Sequence, residues 1–129
     1  MSIIGVGIDI LAVPRIEAIV RRGRAYTARF SRRILSGREL DHFQAVVARL
    51  SEAEQTRYLA ARWCLKEALY KAAYPHQVLR WGDVSIAKIG PKPAAEVAWA
   101  PALAHAHAHI SLAHDRDLVI GYAVIEGQP

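Results

Sequence analysis

Between Ser51 and Pro75 the chain carries neither glycine nor proline, and both ends of that stretch are punctuated. Ser51-Glu52-Ala53-Glu54 has the Ser-x-x-Glu form of a capping box, while Pro75 cannot continue a helix and disfavours helical backbone at Tyr74. The spacing predicts one long helix from about Glu52 to Ala73, the element around which the rest must pack. At 3.6 residues per turn, Leu65, Ala68, Leu69 and Ala72 share one face and Trp63, Glu67 and Lys71 another. The first face is core. On the second, Glu67 and Lys71 admit two readings: a helix ion pair of about 0.3–0.5 kcal/mol, or a pair holding a metal ion and a phosphate.

Upstream, Ser2 to Leu11 alternates as a strand does. Ile4, Val6, Ile8 and Ile10 point one way; Ile3, Gly5, Gly7, Asp9 and Leu11 point the other. Two missing Cβ atoms beside Asp9 let a chain segment or a ligand approach the backbone, so Asp9 is either the floor of a site or a cap on the next segment. Pro14 opens a short helix that Gly23 is placed to end, with Ile16, Ile19 and Val20 as its buried stripe. Arg15, Arg21, Arg22 and Arg24 gather at its end, either as a solvated face complementing the helix dipole or as a docking patch for an acidic protein. Tyr26 to Leu35 gives a weaker signal, read as a helical turn plus connection. Ser36-Gly37-Arg38-Glu39 repeats the capping box and starts a helix to about Leu50.

After Trp81 the period falls to two. Val84, Ile86 and Lys88 oppose Ser85, Ala87 and Ile89 on one strand; Gly90-Pro91-Lys92-Pro93 is a turn, and Ala95 to Trp99 completes a hairpin. His105 to Ala113 alternates again, and Asp115-Arg116-Asp117 connects it tightly to a buried strand from Leu118 to Glu126. The order predicts an α+β fold, a single domain over residues 1–129, with a mainly antiparallel sheet against the long helix.

Composition narrows the function classes. At 129 residues with 53% hydrophobic and 22% charged side chains, the chain fits one globular domain. No apolar run is long enough to span a membrane, and Ile3 to Val13, interrupted by Asp9, is a poor signal peptide. The lone Cys64 suits a reducing compartment and a small buried apolar role, so an intracellular protein with no membrane partner is expected. A net charge of +5 points to a polyanionic partner. No P-loop, dinucleotide fingerprint or paired-cysteine module is present. His105, His107 and His109 on one strand face are candidate zinc ligands, and the arginines around Arg29 to Arg33 a candidate nucleic-acid surface. Both belong to an alternative reading as a non-enzymatic basic module. Asp9 and Glu67 are the best carboxylate pair for a hard metal, with Lys71 as a nearby cation.

Three segments carry a resemblance. Gly7-Ile8-Asp9-Ile10 with Arg15-Ile16-Glu17, then Arg62-Trp63-x-x-Lys66-Glu67-Ala68-x-x-Lys71, then His109-Ile110-Ser111-Leu112-Ala113-His114 occur in the order found in the holo-acyl-carrier-protein synthase family. The chain resembles these small 4′-phosphopantetheinyl transferases over almost its whole length, and Pro91-Lys92-Pro93 resembles their Gly-Lys-Pro turn. Ala12 stands where many members have glutamate, and Ala113 where a Ser or Thr is usual. The resemblance implies the 4′-phosphopantetheinyl transferase fold and transfer of 4′-phosphopantetheine from coenzyme A to a serine of an acyl carrier protein, most often for fatty-acid biosynthesis. It implies Mg²⁺, with Mn²⁺ as a substitute, held by Asp9 and Glu67. Glu67, Lys71 and His114 would be catalytic, with Glu67 taking the serine proton directly or through a water. Arg62, Lys71, Lys92, Pro93, Ser111 and His114 would bind coenzyme A, while Arg15, Arg21, Arg22 and Arg24 dock the acidic carrier. A homotrimer with active sites between subunits is implied, with no nucleic-acid partner. The compartment would be the cytoplasm, or the mitochondrial matrix in a eukaryote.

Overall fold

In the computed structural model, which describes residues 1–128, the chain runs β1 (Ser2–Ala12), α1 (Pro14–Arg21), α2 (Arg24–Ile34), α3 (Gly37–Ala45), α4 (Glu52–Ala73), β2 (Val84–Ile89), β3 (Lys92–Val97), β4 (His107–Asp115) and β5 (Leu118–Gly127). The Ile89 side chain lies outside the described part. Helix α4 has the expected bounds. Ser51 Oγ accepts from the Glu54 N–H, and Tyr74, before the proline, is extended. Around it are two antiparallel sheets, one of order β1-β5-β4 and one of β2-β3, the α+β arrangement read from the sequence.

Glycines set how close the helix lies. A Cβ on Gly5 would come 1.8 Å from the Ala72 carbonyl oxygen, and one on Gly7 would come 1.9 Å from that of Ala68. The open face beside Asp9 is therefore filled by α4 itself, whose small residues Cys64, Ala68 and Ala72 lie against the sheet. Because the obstacle is backbone, Gly7→Ala cannot be absorbed by a rotamer change. It is expected to cost about 1–3 kcal/mol or more, read as a lowered midpoint in urea or thermal unfolding.

Two apolar clusters meet at α4. Leu11, Ile16, Val20, Ile34, Phe43 and Leu59 pack on its first half; Leu65, Leu69, Val84, Ile86, Ala123 and Ile125 surround its second half. The opposite face of the three-stranded sheet is uncovered and apolar. Val6, Ile8 and Ile10 are 51%, 58% and 58% exposed, beside Leu118 and Tyr122, with Ile8 directly across from Tyr122.

Four expectations shift. The segment read as a turn plus connection is the full helix α2. Its buried row is Thr27, Ser31 and Ile34, and its polar members hide their hydroxyls by donating to the Gly23 and Ala28 carbonyls, so hydropathy missed it. Helix α3 stops at Ala45 instead of Leu50 and gives way to a 3₁₀ turn, Val47–Arg49, where the Gln55 amide donates to the Ala48 and Leu50 carbonyls. Strand β3 starts at Lys92, because Gly90, at φ 61°, and Pro91 alone make the turn. Pro93, without an N–H, is tolerated on a two-stranded hairpin. Strand β4 covers His107–Asp115, two residues later than expected.

Candidate functional site

Strand β1 brings Asp9 to the edge of the sheet, where α4 presents Glu67 and Lys71. Lys71 Nζ donates to Asp9 Oδ1 at 3.1 Å and to the Ile8 carbonyl at 2.9 Å. The Cys64 thiol, buried and with its pKa pushed up to about 11 mainly by that burial, donates to the Asp9 carbonyl. This fixes the strand on the helix. Burial first and the Asp9 carboxylate second raise the pKa of Glu67, with Lys71 opposing. Two carboxylates near enough to repel each other, one of them paired with Lys71, suit a hard divalent cation, since Mg²⁺ takes one or two protein carboxylates and fills its remaining positions with other oxygens. Asp9 and Glu67 meet within a single chain. Beside Glu67 lies a small cavity of about 160 Å³ walled by Tyr70, Leu79, Arg80, Trp81 and Val84.

On the other side of α4, the elements α3, β2 and β4 enclose a larger cavity of about 800 Å³. Arg62 and His114 line it, as do Arg38, Arg57 and Lys88. Arg62 is stacked on the Tyr58 ring with its guanidinium carbon 3.4 Å from the centroid, and donates to the Tyr58 and Ile86 carbonyls. It is thus a preoriented cation facing an open space, of a kind that suits phosphate.

Behind this wall sits a group that no sequence pattern announces. Lys66 is 3% exposed and Glu39 4% exposed. Lys66 Nζ donates to Glu39 Oε1 at 2.5 Å and to the Ile34 and Trp81 carbonyls. Glu39 also accepts from the Ser36 and Ile86 N–H groups. As the third residue of a capping box, Glu39 serves the start of α3. Its carboxylate has a further task, and nothing in a capping motif points to a lysine 27 residues downstream. Arg38, Arg57 and Lys88 were missed because they converge only when α3, α4 and β2 pack.

The remaining candidates are spread out. Lys92 is exposed at the start of β3, and Pro93 follows it; neither lines either of these cavities. Ser111 projects from the uncovered face of β4, two residues from His109 and opposite Tyr122, whereas His114 faces the large cavity. Arg15, Arg21, Arg22 and Arg24 are exposed; Arg21 pairs with Glu17, and Arg22 lies over the Tyr26 ring. Among the described residues no three His, Cys, Asp or Glu side chains are grouped to hold a metal. His109 instead pairs with Glu126 on the outer sheet face, at 2.8 Å.

The family model for the 4′-phosphopantetheinyl transferase superfamily matches residues 5–123. The chain belongs to that superfamily. Among curated relatives, the holo-[acyl-carrier-protein] synthase of Bordetella pertussis is 35% identical over 136 aligned positions, covering 98% of this chain and 85% of that one. Its counterpart from Anaeromyxobacter dehalogenans is 30% identical and covers 97% of each. Among solved structures, the holo-acyl-carrier-protein synthase of Plasmodium yoelii shares the fold at a TM-score of 0.78 and 21% identity, over 99% of this chain and 98% of that one. The Helicobacter pylori synthase, solved in complex with coenzyme A, superimposes at a TM-score of 0.70 with 26% identity, over 94% of this chain and 99% of that one. The superfamily match spans both Asp9 and the Glu67–Lys71 helix face. No helix among the described residues is long and apolar enough to cross a membrane.

Proposed function

We propose that this chain transfers the 4′-phosphopantetheine group of coenzyme A to a serine hydroxyl of an apo-acyl carrier protein, releasing 3′,5′-ADP. The observation that carries the reading is the meeting of Asp9, Glu67 and Lys71 at one sheet edge in a member of this superfamily. The names of the curated relatives support the same reaction.

Asp9 and Glu67 would hold Mg²⁺, or Mn²⁺ in its place, which would supply charge neutralisation for the pyrophosphate. Glu67 takes the proton of the carrier serine, directly or through a water. The serine oxygen bonds to the phosphorus that bears pantetheine, and the bond from that phosphorus to the bridging oxygen breaks, so that 3′,5′-ADP leaves with the bonding pair. Lys71 commits two of its three N–H donors to Ile8 and Asp9, leaving the third for the departing phosphate. The large cavity takes the nucleotide, with Arg62 and His114 on its phosphates; Lys92, Pro93 and Ser111, which lie outside it, reach the nucleotide of a neighbouring copy.

These two halves lie on different sides of α4, which favours a site shared between copies: the Asp9 edge of one chain against the Arg62 cavity of the next. The uncovered apolar sheet face is the surface for such an assembly, a homotrimer. Arg15, Arg21, Arg22 and Arg24 dock the acidic carrier, an association that weakens with salt. Neither nucleic acid nor membrane is a partner. The reaction serves fatty-acid biosynthesis in the cytoplasm, or in the mitochondrial matrix of a eukaryote.

The test is incubation with coenzyme A, Mg²⁺ and a panel of apo-carrier proteins. One phosphopantetheine mass is gained on the carrier serine, and a Ser→Ala carrier gains none. Absence of an adduct on every carrier would sink the reading.

A further inference from the structure

A buried row of three charges runs from Arg62 and Glu39, which line the large cavity, to Lys66, which lines the small cavity beside Glu67. Glu39 Oε1 accepts from Lys66 Nζ at 2.5 Å, while Oε2 lies 3.4 Å from Arg62 Nε. The two contacts are not equivalent. Lys66 makes a short hydrogen bond, whereas Arg62 Nε is buried and makes no hydrogen bond. Oε2 accepts instead from the Ile86 N–H, at 2.9 Å. One carboxylate thus serves two cations, and one positive charge is left uncompensated at the cavity floor.

A buried ion pair gives little net stability over an apolar pair of the same volume, so the presence of this one calls for another explanation. Without the Lys66 charge, Glu39 and Arg62 would neutralise each other, and the guanidinium would turn from the cavity toward the carboxylate. With that charge, Glu39 is already engaged. Both hydrogen bonds that Arg62 does make run from its terminal nitrogens to main-chain carbonyls, which fix its direction without cancelling its charge.

We propose that Lys66 is a positioning residue for the phosphate site: by engaging Glu39 it prevents that carboxylate from neutralising Arg62, which stays free to bind an anionic phosphate group. The inference rests on the reading of the large cavity as the nucleotide site. It assigns no contact with substrate to Lys66 or Glu39.

The experiment is calorimetric titration of the intact protein with 3′,5′-ADP, using Lys66→Gln, the double variant Lys66→Gln/Glu39→Gln, and Arg62→Ala. Glutamine at position 66 retains amide donors for the Ile34 and Trp81 carbonyls but carries no charge. Lys66→Gln is expected to raise Kd about tenfold or more. The double variant, in which Arg62 again has no competing carboxylate, is expected to return to within about threefold of the parent. A purely structural role for the pair would lower the melting temperature of Lys66→Gln and leave the affinity of its folded form for 3′,5′-ADP at the parental value. The proposal is overturned by parental affinity in Lys66→Gln, or by a tenfold loss in the double variant. Should the single variant fail to fold, the double variant decides alone. Arg62→Ala separates the two levels: parental affinity in that variant removes the nucleotide from this cavity, whereas weakened binding there beside parental affinity in Lys66→Gln overturns only the role of Lys66.

Discussion

Replacing Glu67 by Gln is expected to slow phosphopantetheine transfer by about 10²–10⁴-fold, the range for loss of a positioned base, while the metal-free protein becomes more stable at neutral pH. The two effects have one cause. Glu67 is pressed against the sheet edge with its carboxylate partly desolvated and facing Asp9, so its pKa in the folded chain lies above the ordinary value. Between those two values the folded chain binds more protons than the unfolded one, and stability therefore falls as pH rises through that window. Above it the full penalty applies. Glutamine removes both the penalty and the pH dependence, so the melting temperature of the metal-free variant should exceed that of the parent at pH 7 and converge with it on acidification. In the parent, transfer should decline on acidification once Glu67 is protonated, because the protonated acid neither holds a metal ion nor accepts the serine proton. A Glu67→Gln chain that retains transfer, or melts lower than the parent at pH 7, would remove Glu67 from the role assigned to it.

The second large effect is expected from the uncovered sheet face. Ile8 on β1 and Tyr122 on β5 stand directly opposite each other, 58% and 42% exposed. Ile8→Lys combined with Tyr122→Glu places opposite charges across the strand pair, which an isolated sheet accommodates. An assembly that buries this face must desolvate both, at several kcal/mol per charge. The double variant is expected to sediment as a monomer with parental circular dichroism, and to lose transfer by about a hundredfold or more. A monomer with full activity would show that one chain holds a complete site.

Much of the molecule is legible from residue order. The bounds of α4 follow from Ser51 and Pro75, and two glycines beside Asp9 mark a close approach there by a chain segment or a ligand, which the packing shows to be α4. What stays hidden has physical causes. Helix α2 buries hydroxyls in place of hydrocarbon. The Lys66–Glu39–Arg62 row ties two residues of α4 to one of α3 through a burial that charged side chains rarely undergo, so it reads as surface until the packing is known. Ser111 and His114, close together in the motif, leave β4 on opposite faces because they are three residues apart, an odd step in a period of two. That step also argues for a site in which different copies use different faces of the same strand.

Mixing two inactive chains decides whether each site is shared between copies. Asp9→Asn damages the metal half and Arg62→Ala the nucleotide half; each alone should be inactive. If one site is built from the metal half of one copy and the nucleotide half of the next, random mixing into closed rings restores roughly a quarter of the parental transfer rate. Mixed assemblies that form and yet remain inactive at every ratio would contradict the account.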